Sequence, residues 1–145
     1  MAATVPVEGQ IVEAETLWYD LTRWPAFVDG FSHVAKVEGD WPREGRLLWD
    51  SHPGGRGRVV EEVTWFSPRE GQDVAVEDPK LTGTQRIRFA PGSVTLELVY
   101  DLKEGTWLLD VLFVRRALRD SVRRTLQRFA IELRAERELT RESIP

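Results

Sequence analysis

The sequence predicts an α+β fold in which a curved, seven-stranded antiparallel sheet surrounds one long C-terminal helix. Short extended segments separated by turn residues continue to about Leu102. From about Thr106 the apolar residues change to the three- and four-residue spacing of one long amphipathic helix. Two short aromatic-rich segments, around Leu17–Tyr19 and Trp24–Val28, predict two short helices near the N-terminus. This order of elements leaves a hollow between the sheet and the long helix.

The composition is that of one ordinary globular domain, which we expect to cover residues 1–145. Apolar residues make up 41% and charged residues 30% of the chain, within the usual range for folded domains. The sequence has neither an apolar run near the roughly 20 residues that cross a bilayer nor a signal peptide, so we expect a cytoplasmic protein. It has no cysteine, which excludes disulfides, thiolate metal sites and cysteine nucleophiles.

The N-terminal segment is predicted to contain one strand followed by the two short helices. Val5–Val12 has strand character, although Pro6 and Gly9 restrict it to an edge or bulged strand. Glu13–Leu21 forms the first helix, because its apolar residues share one face. The second helix, at Trp24–Val28, has a proline in its first turn and a glycine after its end. The tryptophans of the two helices are expected to pack together in a compact corner.

Six further strands are predicted in the middle of the chain, which with the first strand makes seven. They are rich in valine, threonine and aromatic residues, as strands commonly are. Their bounds are Ser32–Glu38, Arg46–Ser51, Gly57–Phe66, Asp73–Glu77, Leu81–Ala90 and Ser93–Leu102. Pro91-Gly92 joins two alternating runs and is a strong hairpin signal.

The last segment predicts one helix with a continuous apolar face over about six turns. This face consists of Val111, Val114, Leu118, Val122, Leu126, Phe129 and Leu133. Burying such a face requires a broad concave partner, and the sheet is the only candidate. After Leu133 the sequence becomes polar, so residues 134–145 are expected to fray or to project from the domain.

Charge is unevenly distributed along the chain. Residues 115–142 carry a net charge of +4, against −8 for the remaining residues. A cluster of arginines can bind nucleic acid. Here apolar residues recur at helical spacing between the arginines, which indicates a solvated face above a packed stripe, and the acidic remainder would repel phosphate. We therefore expect no nucleic-acid partner and no stable insertion into a membrane.

Short motifs in a specific order accompany these elements. They are Ala-Glu-Thr-Leu-Trp at 14–18, Trp24-Pro25 followed by Phe27, Glu38-Gly39 before a strand that follows Gly45, and Val63 with Ser67-Pro68 at the end of the long strand. Over nearly the whole chain the sequence resembles the SRPBCC superfamily, the helix-grip fold shared by START-type lipid carriers and polyketide cyclase/dehydrase-like domains. The block Phe113–Leu118 with Arg124-Thr125-Leu126 resembles uncharacterised actinobacterial members. The resemblance implies a hydrophobic ligand cavity but no common reaction.

Period-two alternation along the strands indicates which residues face that cavity. On the long strand, the face that contains Val59, Glu61, Val63 and Trp65 is the more apolar, so we place it inward. Residues near the start of the final helix are expected at the mouth. The predicted ligand-binding residues are Leu47, Trp49, Val59, Val63, Trp65, Ile87, Phe89, Leu96, Leu98, Tyr100, Leu109, Leu112 and Phe113.

Glu61 is the strongest candidate for acid–base chemistry. The predicted alternation places it between apolar neighbours, and an unpaired buried carboxylate is costly. It either pairs with a basic residue, such as Arg46 or an arginine of the final helix, or its pKa rises as a general acid or base requires. Tyr100, at the end of an inward apolar face, is its expected helper. The alternative is that a bulge turns Glu61 towards solvent.

Other catalytic or metal-binding combinations have little support, and we expect no cofactor and no metal. His33 and His52 lie on separate segments without the helical spacing of a zinc pair. No serine lies in a Gly-x-Ser-x-Gly nucleophile motif.

Three classes of function remain. The leading one is binding or transport of an apolar or aromatic small molecule. The second is a polyketide cyclase, aromatase or dehydratase that orients a flexible substrate in the same cavity. The third is a protein-interaction module that docks its basic helix on an acidic partner. The choice between monomer and homodimer stays open.

Overall fold

The computed structural model describes residues 1–105 and 108–142, except for the side chains of residues 108 and 109. The strands are β1 (Ala2–Pro6), β2 (Phe31–Glu38), β3 (Arg46–Ser51), β4 (Arg58–Ser67), β5 (Gly71–Glu77), β6 (Leu81–Ala90) and β7 (Ser93–Leu102). The helices are α1 (Ile11–Tyr19), α2 (Trp24–Phe27) and α3 (Leu108–Glu142), and a 3₁₀ turn at Leu21–Arg23 precedes α2. The predicted α+β fold is confirmed. Within the described residues, no helix combines the length and the apolar character needed to cross a membrane.

The seven strands form one antiparallel sheet in the order β1-β7-β6-β5-β4-β3-β2. Strands β2 to β7 are a simple meander, and β1 joins the sheet beside β7. The predicted hairpin is confirmed, since Ala90 pairs with Ser93 across Pro91-Gly92. Gly92 has a φ of 80°, a left-handed conformation that glycine adopts without strain. Both ends of β3, β6 and β7 agree with the prediction.

The N-terminal boundaries differ from the prediction. The first strand ends at Pro6 instead of Val12, and α1 begins at Ile11 instead of Glu13. Gly9, with a φ of 95°, breaks the extended backbone. The side chain of Glu13 then accepts a hydrogen bond from the backbone N–H of Gln10, which is the reciprocal contact of a helix N-terminus. Local capping therefore starts the helix two residues early.

One face of α3 packs against the aromatic corner formed by α1 and α2. The Phe129 ring lies 5.4 Å from the ring centroid of Trp18 and 5.3 Å from that of Phe27, both in edge-to-face geometry. Trp18 and Phe27 are stacked on each other. Aromatic pairs at these separations stabilise the fold by more than the burial of their apolar surface alone. The predicted apolar face is buried from Leu118 to Leu133.

The end of α3 does not fray as predicted, because the helix continues to Glu142. Partners distant in sequence hold this segment. Arg137 forms ion pairs with Glu13 and Glu8, and Glu136 binds Arg23. The predicted start of the helix at Thr106 lies outside the described residues.

Candidate functional site

The strands turn a single set of side chains towards α3. Leu47 and Trp49 of β3 and Val59 and Glu61 of β4 are all buried, as the alternation predicts. The inward residues of β6 and β7 continue this surface, and they include Ile87, Phe89, Val94, Leu96 and Leu98. Glu61 is only 4% exposed, so the alternative in which it faces solvent is wrong.

A β-bulge reverses the alternation near the end of β4. Val63 pairs with Val74, whereas Trp65 pairs with Asp73, so one extra residue is inserted between the two pairs. The inward placement of Trp65 is therefore wrong. Its ring lies on the outer face of the sheet, with the Arg88 guanidinium 4.5 Å from its centroid. Phe66 packs edge-on against Tyr19, and Val63 stays half-buried against the core.

A small inner cavity of about 40 Å³ lies between the sheet and α3. Eight of its fourteen lining residues are apolar, and three of these are tryptophans. The lining residues are Trp18, Trp24, Val28, Asp29, Trp49, Arg56, Glu61, Gln85, Leu96, Leu98, Leu118, Ser121, Val122 and Thr125. Of the predicted site residues, the structure brings Trp49, Glu61, Leu96 and Leu98 together here.

The Glu61 carboxyl is held by its diagonal neighbour on β3. The indole Nε1–H of Trp49 donates a hydrogen bond of 2.6 Å to Glu61 Oε2. Burial raises the pKa of Glu61, while the Trp49 hydrogen bond and the positive charge of Arg56 oppose this rise. The partner is therefore neither Arg46 nor an arginine of α3. Burial therefore favours the protonated, neutral form of this carboxyl more than exposure to water would.

Arg56 lies beside the inner cavity on the turn between β3 and β4. Its Nε donates a hydrogen bond of 2.8 Å to Asp78 Oδ2, and its guanidinium carbon lies 5.9 Å from the Trp49 ring centroid. The Asp78 side chain is 2% exposed, and its other oxygen accepts the backbone N–H groups of Lys80 and Leu81. The second amino group of Arg56, Nη2, is buried and has no hydrogen-bond partner within the described residues.

A larger outer cavity of about 210 Å³ adjoins the first. Both are lined by Asp29, Arg56, Leu118 and Ser121, so they lie side by side. The remaining lining residues of the outer cavity are Gly30, Ser51, Gly54, Gly55, Asp78, Lys80, Leu81, Phe113, Val114, Ala117 and Arg124. The predicted mouth residue Phe113 therefore borders this cavity.

Asp29 is neutralised at the junction of the two cavities. Arg124 donates two hydrogen bonds of 3.0 Å to its carboxylate, and Arg128 donates a third of 3.1 Å. Burial would raise the pKa of Asp29, but the hydrogen bonds from Arg124 and Ser121 and the two arginine charges hold it below its usual value. Asp29 is therefore an ionised, fully engaged group.

The other predicted site residues lie away from the two cavities. Leu47, Val59, Ile87 and Phe89 are buried in the core without bordering either cavity, and Leu112 is exposed. The side chain of Leu109 lies outside the described residues.

Tyr100 does not meet Glu61. Glu61, Val76, Gly83 and Tyr100 occupy one row across neighbouring strands. Three strand spacings place Tyr100 roughly 14 Å from Glu61 along the sheet. Tyr100 instead lines a separate depression with Met1 and Val111.

Sequence reasoning missed most of the polar residues of the site, and Gln85, Thr125 and Arg56 show why. Gln85 follows the same alternation as Ile87 on β6, so the period-two pattern is a signal that identifies it. Thr125 lies on the apolar face of α3, between Val122 and Leu126, and helical spacing points to it in the same way. Arg56 lies in a glycine-rich turn, where no periodicity applies. Within the described part of the chain, no cluster of three or more ligating side chains could hold a metal ion.

Comparisons with known proteins agree with this architecture. No family model matches the sequence, and no curated protein has a matching sequence. A protein of Thermus thermophilus is similar in structure, with a TM-score of 0.74 and 18% identity over 94% of this chain and 97% of that chain. A START superfamily protein from Mycobacterium smegmatis has a TM-score of 0.68 and 13% identity over 92% and 97% of the two chains.

The di-domain ARO/CYC StfQ of the steffimycin biosynthetic pathway is also similar. It has a TM-score of 0.67 and 19% identity over 94% of this chain, which spans 51% of StfQ. The chain adopts the same helix-grip fold as these solved structures. In this helix-grip domain the gripped element is α3, and both cavities lie along its N-terminal half.

The raised pKa of Glu61 predicts how stability depends on pH. Below the ordinary glutamate pKa of 4.5, Glu61 is protonated in both the folded and the unfolded states. Above it, the unfolded chain loses the proton first, so the free energy of unfolding falls until the folded-state pKa is passed. Each unit of increase in that pKa corresponds to about 1.4 kcal/mol. Glu61→Gln has no carboxyl to titrate at this position, so its free energy of unfolding does not fall in this way. The variant should therefore become more stable relative to wild type as pH rises.

Urea denaturation between about pH 4.5 and pH 8 measures this difference in free energy. Glu62→Gln is the matched control, because Glu62 is the adjacent residue on β4 and is exposed, away from the cavities. A stability difference for Glu61→Gln that does not change with pH would contradict the prediction.

Proposed function

We propose that the protein binds an apolar or aromatic small molecule in the paired cavities between the sheet and α3. The observation that carries this proposal is the composition of their walls. Leucine, valine and tryptophan are eight of the fourteen residues that line the inner cavity, and its polar residues include Glu61, Gln85 and Arg56. Small-molecule sites are typically concave and apolar, with a few polar groups that fix orientation.

The volumes indicate how such a ligand would lie. An apolar cavity of about 150 Å³ is sufficient to bind benzene. The outer cavity, at about 210 Å³, has room for the body of a single-ring ligand, whereas the inner one, at about 40 Å³, has room for a small terminal group. We place the body against Leu81, Val114 and Leu118, and one end near Trp49.

Solved structures with this fold support a binding function by analogy. One neighbour is described as a START superfamily protein, and two others are di-domain ARO/CYC proteins of biosynthetic pathways. With identities of 13–20%, these neighbours share the fold with this chain. The proposal therefore rests on the cavity walls and volumes of this chain.

Trp49 should report ligand binding through its fluorescence. A ligand end that enters the inner cavity contacts its walls and changes the surroundings of the Trp49 indole. Titration with 4-phenylbutanamide, a neutral aromatic probe, should therefore change the intrinsic emission in a saturable way. Trp49→Phe should remove much of this change.

Trp65→Phe provides the matched control, because Trp65 lies on the outer face of the sheet. It should leave the response intact. An equal loss in both variants, or no saturable response in wild type, would contradict the proposed site.

A second candidate function is a polyketide cyclase, aromatase or dehydratase. The observation in its favour is Glu61, a buried carboxyl with a raised pKa that borders the inner cavity. A general acid or base near neutral pH requires this kind of environment. Tyr100 is too distant to assist it directly, so the proton would move between Glu61 and the ligand.

If the protein cyclises a poly-β-ketone thioester, Glu61→Gln should lower the rate about a hundredfold or more. The substitution preserves the shape and the acceptor oxygen for Trp49, so the affinity for 4-phenylbutanamide should stay within a few-fold. Product analysis by mass spectrometry measures turnover, with Glu62→Gln as the control. Full activity in Glu61→Gln would exclude this role for Glu61.

A further inference from the structure

The positive groups around the outer cavity outnumber the negative groups that remain available to a ligand. Asp29 is engaged by Arg124 and Arg128. Asp78 is engaged by Arg56 and by the backbone N–H groups of Lys80 and Leu81. Neither carboxylate is therefore free to attract a cationic ligand.

Two cationic groups have unused donors. Arg56 Nη2 is buried and lacks a hydrogen-bond partner within the described residues. The Lys80 side chain, at the rim of the outer cavity, forms no ion pair with any described residue. A buried donor without an acceptor has lost its hydration without compensation, so an acceptor that reaches it gains more than it would on the surface.

From this arrangement we infer that the ligand is an apolar or aromatic carboxylic acid whose carboxylate binds the Arg56 guanidinium. The proposal rests on the proposed binding function and names the chemical class of the ligand. The carboxylate lies at the junction of the two cavities, and Lys80 contributes a second positive charge at the rim. The apolar body extends along Leu81, Val114 and Ala117, which line the outer cavity.

The surroundings favour a single negative charge over a phosphate. Asp29 and Asp78 border the same cavity and already occupy the charges of Arg124, Arg128 and part of Arg56. The donors that remain therefore match one carboxylate better than a dianion. Glu61 does not oppose the ligand in the same way, because burial raises its pKa and favours the neutral form. Hydrogen bonds between a guanidinium and a carboxylate are stronger than those between neutral groups.

Matched probes test this inference. The acid 4-phenylbutyrate and the neutral 4-phenylbutanamide have the same ring and chain and differ in charge. Isothermal titration calorimetry with wild type at neutral pH should show the acid binding about tenfold more tightly than the amide. Arg56→Gln should reduce this preference to within about twofold, mainly by weakening the binding of the acid.

Arg58→Gln is the control, because Arg58 lies two residues away and pairs with Asp50 on the exposed surface. It should keep the full preference. Arg56→Gln leaves the buried Asp78 without its charged partner and can impair folding. Lys80→Gln therefore provides a second test, and it should reduce the preference partly while leaving the fold intact.

The outcomes separate this inference from the function on which it rests. Equal affinity of acid and amide in wild type would overturn the carboxylate proposal and leave the apolar binding site in place. An acid preference that persists in both Arg56→Gln and Lys80→Gln would also overturn it. Absence of binding by both probes would overturn the proposed function itself.

Discussion

The contact between the aromatic corner and the C-terminal half of α3 determines where this domain is filled and where it is hollow. Phe129 is fully buried against Trp18 and Phe27, and this packing fixes the end of the helix. The N-terminal half of α3 passes over the sheet without an equivalent aromatic anchor. Leu118 and Ser121 there border the cavities, and Phe113 is 74% exposed. The packed corner and the hollow therefore adjoin each other, and Trp18 borders both.

The polar groups in this space are only partly satisfied by the protein itself. Trp49 donates to Glu61, and Arg56 donates to Asp78, so neither acid is without a partner. The uncompensated donor is Arg56 Nη2. Asp78 also has a structural role, because it accepts the backbone N–H groups of Lys80 and Leu81. The carboxylate ligand that we propose would supply the acceptor that Arg56 lacks.

Much of the architecture follows from local patterns in the sequence. The bounds of β6 and β7 are predictable because the alternation of both strands and the Pro-Gly turn between them indicate the same hairpin. The burial of Glu61 also follows from alternation. The hydrogen-bond partner of Glu61 does not follow from alternation. Trp49 lies diagonally opposite on the adjacent strand β3, and the register between β3 and β4 depends on tertiary packing.

Other features depend on contacts that a linear pattern does not contain. The bulge beside Trp65 inserts one residue and reverses every assignment after it. The polar end of α3 stays helical because Arg137 and Glu136 meet partners more than a hundred residues earlier in the chain. Alternation also does not distinguish a core residue from one that lines a cavity. It therefore predicts Leu47 and Val59 as ligand-binding residues together with Trp49, although both fill the core.

The most direct test of the central claim is a crystal structure of the protein with 4-(4-bromophenyl)butyrate. The anomalous signal of bromine locates the far end of the ligand independently of the fitted coordinates. If the ligand binds as proposed, a bromine peak lies in the outer cavity near Leu81 and Val114, with the carboxylate beside Arg56. Bromine peaks confined to the protein surface, with both cavities unchanged at a saturating concentration, would contradict it.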